Sequence, residues 1–350
     1  MPTTSGNITD FKVYQDKYYM GLIESIDQNV SVLNEGAGGA IRVLTANTRG
    51  EFETRSFFQN IDDLVADRDP TDLSQVPVQK VTQGEVTDVL KNYRIGPVRQ
   101  TLDSFRKISL DPQYMSFILG SQMGEKVTQK ILNAGLAAVI AAIESEANSM
   151  VFDNTDPANA ARTGGTTISA RAMNRAAGLM GDRRSSLRAL VTNSAVATEL
   201  WDNQLSEKLG EVSGALVYGA EAGTLGLPVW ITDSPALSAE VVIEEGQGEE
   251  PDVTATVHYV LMLTEEALVI QQQDYMDVYS DMVGGAANLQ AFYQAESGYL
   301  ARVKGFSWGG SNSPTDGEFA DDANWTYVYN SHKDGPGILL VVNDVEPAAE

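Results

Sequence analysis

The chain has 350 residues, long for one compact domain and comfortable for two, with 43% hydrophobic and 21% charged residues; such a chain can bury a sizeable core and is not wholly disordered. Its formal net charge is −24, from 48 acidic and 24 basic residues, which argues against a general phosphate-binding surface and favours solubility with mutual repulsion at low salt. Cysteine is absent and the two histidines are His258 and His332, so disulfides, thiolate metal sites and Cys nucleophiles are excluded, and carboxylates would have to complete any metal site.

The first residues, MPTTSGNITDFKVYQDKYYM, carry no basic segment followed by an apolar one, so a signal peptide is not expected. Residues 1–35 read as an N-terminal arm with a short amphipathic helix, in which Tyr18, Leu22, Ile23 and Ile26 recur at helical spacing. The GAGG at 36–39 ends it. In 40–58, Ile41, Val43 and Thr45 alternate, ANTRGE turns, and Phe52, Thr54 and Ser56 resume the alternation, which predicts a β-hairpin. Residues 60–75 form a polar loop or short helix. Residues 76–100 form a second extended region with turn signals at Gln83-Gly84 and Gly96-Pro97, and the latter predicts an exposed or edge segment.

Asp111 and Pro112 suit the N-cap and first position of a helix, with Gly120 and Gly124 interrupting or restarting it. The main helix is expected from about 121 to 150, roughly 45 Å long at 1.5 Å per residue. Its run ILNAGLAAVIAAIESEANSMV (131–151) is the most apolar in the chain. The uncharged part, Ile131–Ile143, is too short for a membrane span, which needs about 20 residues. Val127, Ile131, Leu132, Leu136, Val139, Ile140 and Ile143 step by three and four, giving one broad face. Gly135 costs about 1 kcal/mol relative to Ala in mid-helix and implies a close neighbour.

A loop over 152–168 follows, then a helix, ARAMNRAAGLMG, capped by Ser169. A strand is expected at 187–192 and a helix from Asn193-Ser194, with further strands at 227–232, 254–263 and 267–272. Residues 298–342 are mostly extended around an acidic turn region at 313–324, closing on the strand ILLVV. The class is α+β with interleaved elements rather than a regular βαβ alternation.

Charge is segregated. From Leu209 to Ala301 there is no Lys or Arg, against fifteen Asp and Glu. Residues 76–107 hold Lys80, Lys91, Arg94, Arg99, Arg106 and Lys107 against Glu85, Asp88 and Asp103, and 162–188 hold six arginines against Asp182. Solvated faces account for part of such clustering. The sharper reading is attraction between copies, with a basic extended segment lying on an acidic neighbour and Lys80, Lys91, Arg94 and Arg99 as the inter-subunit contact candidates. The arginine-rich helix lacks the aromatic interleaving of a single-strand nucleic-acid binder.

No catalytic constellation emerges. GSQMGEKVT (120–128) departs from a phosphate loop, with three residues between its glycines, Glu125 before Lys126 and no preceding strand. Glu144 and Glu146 are two apart on a helix and point to different faces. His258 sits in an apolar strand pattern and reads as a satisfied structural histidine, and the four tryptophans read as core or interface residues. No catalytic, cofactor-binding or metal-ligating residue and no cofactor is assigned; a soluble carboxylate-based hydrolase is the reading from another class.

Four phrases stand in order: VTNSAVATELWDNQL (191–205), LGLPVWITDSPAL (225–237), TEEALVIQQQ (264–273) and GYLARVKGFSW (298–308). With the order of arm, extended region, long helix and compact α+β region, they resemble the major capsid protein of tailed double-stranded-DNA bacteriophages, a fold shared with herpesvirus capsid floors and encapsulins. The resemblance covers roughly 40–310. It implies an N-terminal arm (1–39), an extended loop region (40–105), a peripheral domain (106–185 plus 286–350) on a spine helix at 121–150, and an axial domain (186–285). It implies a non-enzymatic shell protein that assembles with itself into pentamers and hexamers. DNA would be enclosed without sequence-specific binding, with no membrane involved. Portal, scaffolding or decoration proteins are further candidate partners. The implied location is the virion capsid, assembled in the host bacterial cytoplasm. An encapsulin-type compartment is the alternative within the fold. Some related capsids join a loop Lys to a neighbour's Asn; Lys80 or Lys91 would take that role, although no local motif marks it.

Overall fold

One long helix, α1 (Pro112–Ser145), runs through the computed structural model of the protein. The structure describes residues 38–58, 83–101, 112–211, 227–244, 253–283 and 287–344, with Tyr18, Met20, Leu22, Ile23, Glu24 and Ile26 of a helical segment before them. At 34 residues, α1 is about 51 Å long. It begins at Pro112 as expected but runs unbroken through Gly120 and Gly124, while Asp111, Lys80 and the 60–75 loop lie outside the described residues. By length and composition Phe117–Ser145 could cross a membrane, yet 61% of its most apolar stretch is buried inside the protein.

The glycines of α1 have close neighbours. A Cβ on Gly120 would lie 2.1 Å from the Tyr18 carbonyl oxygen, so the N-terminal helical segment rests directly on the spine. Tyr18, Leu22 and Ile26, one turn apart, are buried there. The Tyr18 hydroxyl donates to Met123 Sδ at 2.9 Å, and burial pushes its pKa up to about 12. A Cβ on Gly135 would meet Leu268 Cδ2 at 2.9 Å and Ile270 Cδ1 at 3.1 Å. The expected single apolar face holds only for the first half of the run. Between Ala134 and Ile143 every residue but Ala137 is buried, the pattern of a helix surrounded by protein.

The strands, in chain order, are β1 (Ile41–Thr45), β2 (Phe52–Phe58), β3 (Gln83–Thr101), β4 (Val151–Asp153), β5 (Leu187–Thr192), β6 (Val229–Ile231), β7 (Ser238–Glu244), β8 (Val253–Thr264), β9 (Leu268–Gln272), β10 (Asp277–Val283), β11 (Gln290–Val303), β12 (Phe306–Trp308), β13 (Trp325–Tyr327) and β14 (Gly337–Asn343). One six-stranded sheet has the order β1-β9-β11-β3-β2, with β10 also on β11; the other has the order β4-β14-β8-β5-β6, with β7 also on β8. β12 and β13 form a separate pair. Helix α1 contacts β9 and β11 of the first sheet and β14 of the second, so its buried surface is the joint between them. The remaining helices are α2 (Ala147–Met150), α3 (Pro157–Thr163), α4 (Ala170–Gly178), α5 (Ser194–Glu211) and α6 (Asp316–Phe319).

Several expectations are met by local chemistry. Ser169 caps α4 by accepting from the Ala172 amide, and Asn193 Oδ1 accepts from the Val196 amide at the start of α5. His258 is buried and satisfied on both ring nitrogens, by Asn193 Nδ2 at 2.8 Å and Asp344 Oδ1 at 3.0 Å. Trp308 and Trp325 are buried, whereas Trp201 is 47% exposed.

Others are corrected. The 40–58 hairpin does not form: β1 pairs in parallel with β9, burying Ile41 and Val43, while the more exposed β2 pairs with β3. Gln83-Gly84 starts a strand instead of a turn, and Gly84 leaves room for the Phe57 ring, whose Cζ would lie 2.5 Å from an added Cβ. The 152–168 loop contains β4 and α3, the latter capped by Asp156. Strands β9 and β10 join β11, and β14 inserts between β4 and β8.

Candidate assembly surface

Lys91 and Arg94, close in sequence, have opposite fates. Lys91 is 4% exposed. Its ammonium pairs with Asp316 Oδ1 at 2.6 Å and lies 4.6 Å above the centre of the Phe319 ring. Burial lowers its pKa, against the pull of Asp316. Asp316 also pairs with Lys130 of α1 at 2.8 Å, and hydrogen bonds from Lys130 and Lys91 hold its carboxyl below the usual range. Within the subunit its charge pins β3 and α1 to the turn before α6. Around it Trp308, Phe319 and Trp325 form an aromatic cluster with centroids 5.1–5.8 Å apart.

A second internal network, not foreseen from sequence, joins β2, β3 and β11. Asp88, 2% exposed, pairs with Arg55 at 2.8 Å and with Arg302 at 3.2 Å, and Arg302 also binds Glu53. Burial raises the Asp88 pKa despite both arginines. At the end of α1, burial likewise raises the pKa of Glu144, although a hydrogen bond with Tyr259 opposes it. Among the described residues, no group of three or more His, Asp or Glu is placed to hold a metal ion. A cleft of about 380 Å³ lies between Phe57, Phe58 and Tyr329. Its cations are engaged: Arg183 with Asp334, Lys333 with Asp182 and Lys304 with the Glu265 carbonyl.

Arg94 and Arg99 are exposed on one face of the ribbon that β3 and β10 make on either side of β11. Five residues apart, they would sit on opposite faces of a regular strand. The register with β11 shifts at Gly96-Pro97: Ile95 opposes Ala295, but Val98 opposes Tyr293. The extra residue is accommodated as a bulge, which re-aims Arg99 to the face of Arg94. Arg94, Glu296 and Asp277 then share one rung, and Arg99, Phe292 and Asp281 share another. The Arg99 guanidinium lies 5.8 Å from the Phe292 ring centre, and Tyr279 meets that ring edge-on at 6.3 Å. Beyond Leu90, β3 pairs on one side only among the described residues, so the edge placement expected for Gly96-Pro97 holds.

The sequence reading missed the exposed large residues: Phe58 is 71%, Leu289 58%, Tyr279 56% and Phe52 42% exposed. In DVYSDMV, the alternation of Asp277, Tyr279 and Asp281 with Val278 was the available signal for β10.

Residues 10–339 match the family model described as Gp13-like, Major capsid protein 13-like. Among solved structures the fold is similar to the capsid of Ralstonia phage GP4, with 9% identity, 89% of each chain covered and a TM-score of 0.50. It is also similar to structures from Microbacterium phage Oxtober96 (11% identity, 88% of this chain and 90% of that one, TM-score 0.48) and Mycobacterium phage Adephagia (12%, 88% and 89%, 0.48). No curated protein matches the chain. The likeness to the GP4 capsid is one of fold, and it agrees with the mixed helix-and-sheet capsid architecture implied by the four sequence phrases. Matched over nearly its whole length, the chain belongs to the Gp13-like family of major capsid proteins.

Proposed function

We propose that this capsid protein is the shell-forming subunit of an icosahedral bacteriophage head, assembling with copies of itself into pentamers and hexamers and enclosing double-stranded DNA. The family match over residues 10–339 carries this reading and favours a phage head over an encapsulin compartment. The exposed Phe52, Phe58, Trp201, Tyr279 and Leu289 are large apolar surfaces of the kind that contact between copies covers. The net charge of −24 supports enclosure of DNA without a general phosphate-binding surface. The axial domain is assigned to the sheet containing β5, β8 and β14, and the peripheral domain to α1 with the sheet containing β3 and β11. The protein acts by assembly and carries no enzymatic activity. Assembly takes place in the host cytoplasm, with portal, scaffolding and decoration proteins as further partners. Expression of the full chain followed by sedimentation and negative-stain microscopy tests this: closed particles of many copies are expected, and monodisperse monomers under all conditions would refute it.

A further inference from the structure

We infer that the β3–β11–β10 ribbon is a contact surface for a second copy of this chain, with the Arg94/Arg99 edge of one subunit meeting the Asp277/Asp281 edge of the next. This rests on the capsid reading and names one of its contacts. All four residues are exposed. Among the described residues β10 pairs only with β11, and β3 beyond Leu90 does likewise, so each charged pair stands on an edge of the ribbon.

The spacing matches as well as the sign. Arg94 and Asp277 share the Glu296 rung, and Arg99 and Asp281 share the Phe292 rung. The two arginines are therefore as far apart along one edge as the two aspartates along the other, about 14 Å at 3.4 Å per residue. A neighbouring ribbon set alongside satisfies both pairs in one register. Two β3 edges, or two β10 edges, would set like charges against each other, so the pattern selects partner edge and direction. On the same face the 56% exposed Tyr279 of β10 meets the Phe292 ring of β11 edge-on, and its hydroxyl donates to Asp281 Oδ2 at 2.9 Å, holding that carboxylate at the β10 edge. Pro97 has no N–H to donate, so the β3 edge cannot extend as an uninterrupted backbone ladder; side chains make the contact. Because the two edges are different surfaces, the contact is head-to-tail, the kind that closes into rings.

The chain has no cysteine, which makes a cross-linking test clean. In one subunit residues 99 and 281 flank β11, two strand spacings or roughly 10 Å apart, too far for a disulfide. The full-length variant carrying Arg99→Cys and Asp281→Cys, mildly oxidised after assembly, is expected to give a ladder of dimers and higher species on a non-reducing denaturing gel. Each single variant is expected to stay monomeric there. Normal particles of the double variant that yield only monomer would overturn the inference, whereas failure of the unsubstituted chain to form particles would overturn the capsid reading instead. Charge reversal gives a second readout. Arg94→Glu with Arg99→Glu, or Asp277→Arg with Asp281→Arg, should each cut particle yield by about tenfold at low salt, and combining both reversals should restore it. Restoration separates a lost contact from a lost fold; unchanged yield in either single-edge reversal would contradict the proposed pairing.

Discussion

Two glycines of α1 should respond in opposite ways to the same substitution. Replacing either with alanine contributes about 1 kcal/mol of intrinsic helix propensity, so any difference must come from what the new methyl group meets. At Gly120 it meets backbone: the Tyr18 carbonyl oxygen at 2.1 Å, the Tyr18 carbonyl carbon at 3.0 Å and the Leu22 nitrogen at 3.1 Å. None can rotate away, so the N-terminal segment must retreat by about 1 Å to reach ordinary contact. That loosens Tyr18, Leu22 and Ile26, all buried, and full burial of each such side chain is worth about 1.5–3 kcal/mol. Losing part of this outweighs the helical gain, giving a net destabilisation of about 2 kcal/mol, within the usual range for overpacking. At Gly135 the neighbours are the methyl ends of Leu268 and Ile270, which yield by a few tenths of an ångström. Gly135→Ala should therefore stay within about 1 kcal/mol of the unsubstituted chain. Urea unfolding of the dissociated subunit measures both, and limited proteolysis should show faster cleavage near residue 18 in Gly120→Ala alone. A Gly120→Ala variant as stable as Gly135→Ala, with unchanged cleavage, would refute the close packing of the N-terminal segment on the spine.

Asp316→Ala leaves the buried Lys91 without its carboxylate and should cost about 3 kcal/mol, whereas Lys91→Met leaves Asp316 with Lys130 and should cost less than about 1.5 kcal/mol; denaturation midpoints of the two variants compare them. Glu144 has a raised folded-state pKa, so its stabilising contribution is complete below its unfolded value near 4.5 and is lost as pH rises through the raised one. Glu144→Gln should accordingly be the more stable protein at neutral pH, with a flatter stability profile above 4.5, and a profile identical to that of the unsubstituted chain would count against the burial argument. Asn193→Ala removes both the α5 cap and the partner of His258 Nδ1 and should lower stability by about 1–3 kcal/mol in a thermal melt.

What could be read from sequence depended on whether the deciding contacts were local. Ser169 and Asn193 announce helix starts through bonds to amides within three residues, and β8 announces itself by a long β-branched and apolar run. The partner of β1 was illegible because β9 comes much later in the chain; alternation identifies a strand and says nothing of its neighbour. Helix α3 carried the same Asp-Pro start signal as α1, but a seven-residue helix shows no apolar period to confirm it. On the candidate surface, Lys91 looked like a surface cation until Asp316 and Phe319 were brought over it by the fold. Arg94 and Arg99 look like residues of opposite faces until the register shift at Gly96-Pro97 is taken into account. That bulge is a tertiary consequence of pairing with β11, and Gly-Pro hinted at an edge without revealing it.

A three-dimensional reconstruction of the particle formed by the full chain decides whether this protein builds a shell and how its sheets are placed in it. A closed shell is expected in which the β5–β8–β14 sheet surrounds the symmetry axes of pentamers and hexamers, with Arg94 and Arg99 of each ribbon facing Asp277 and Asp281 of a neighbouring subunit. Isolated subunits, or a shell in which that sheet stands away from the axes, would contradict it.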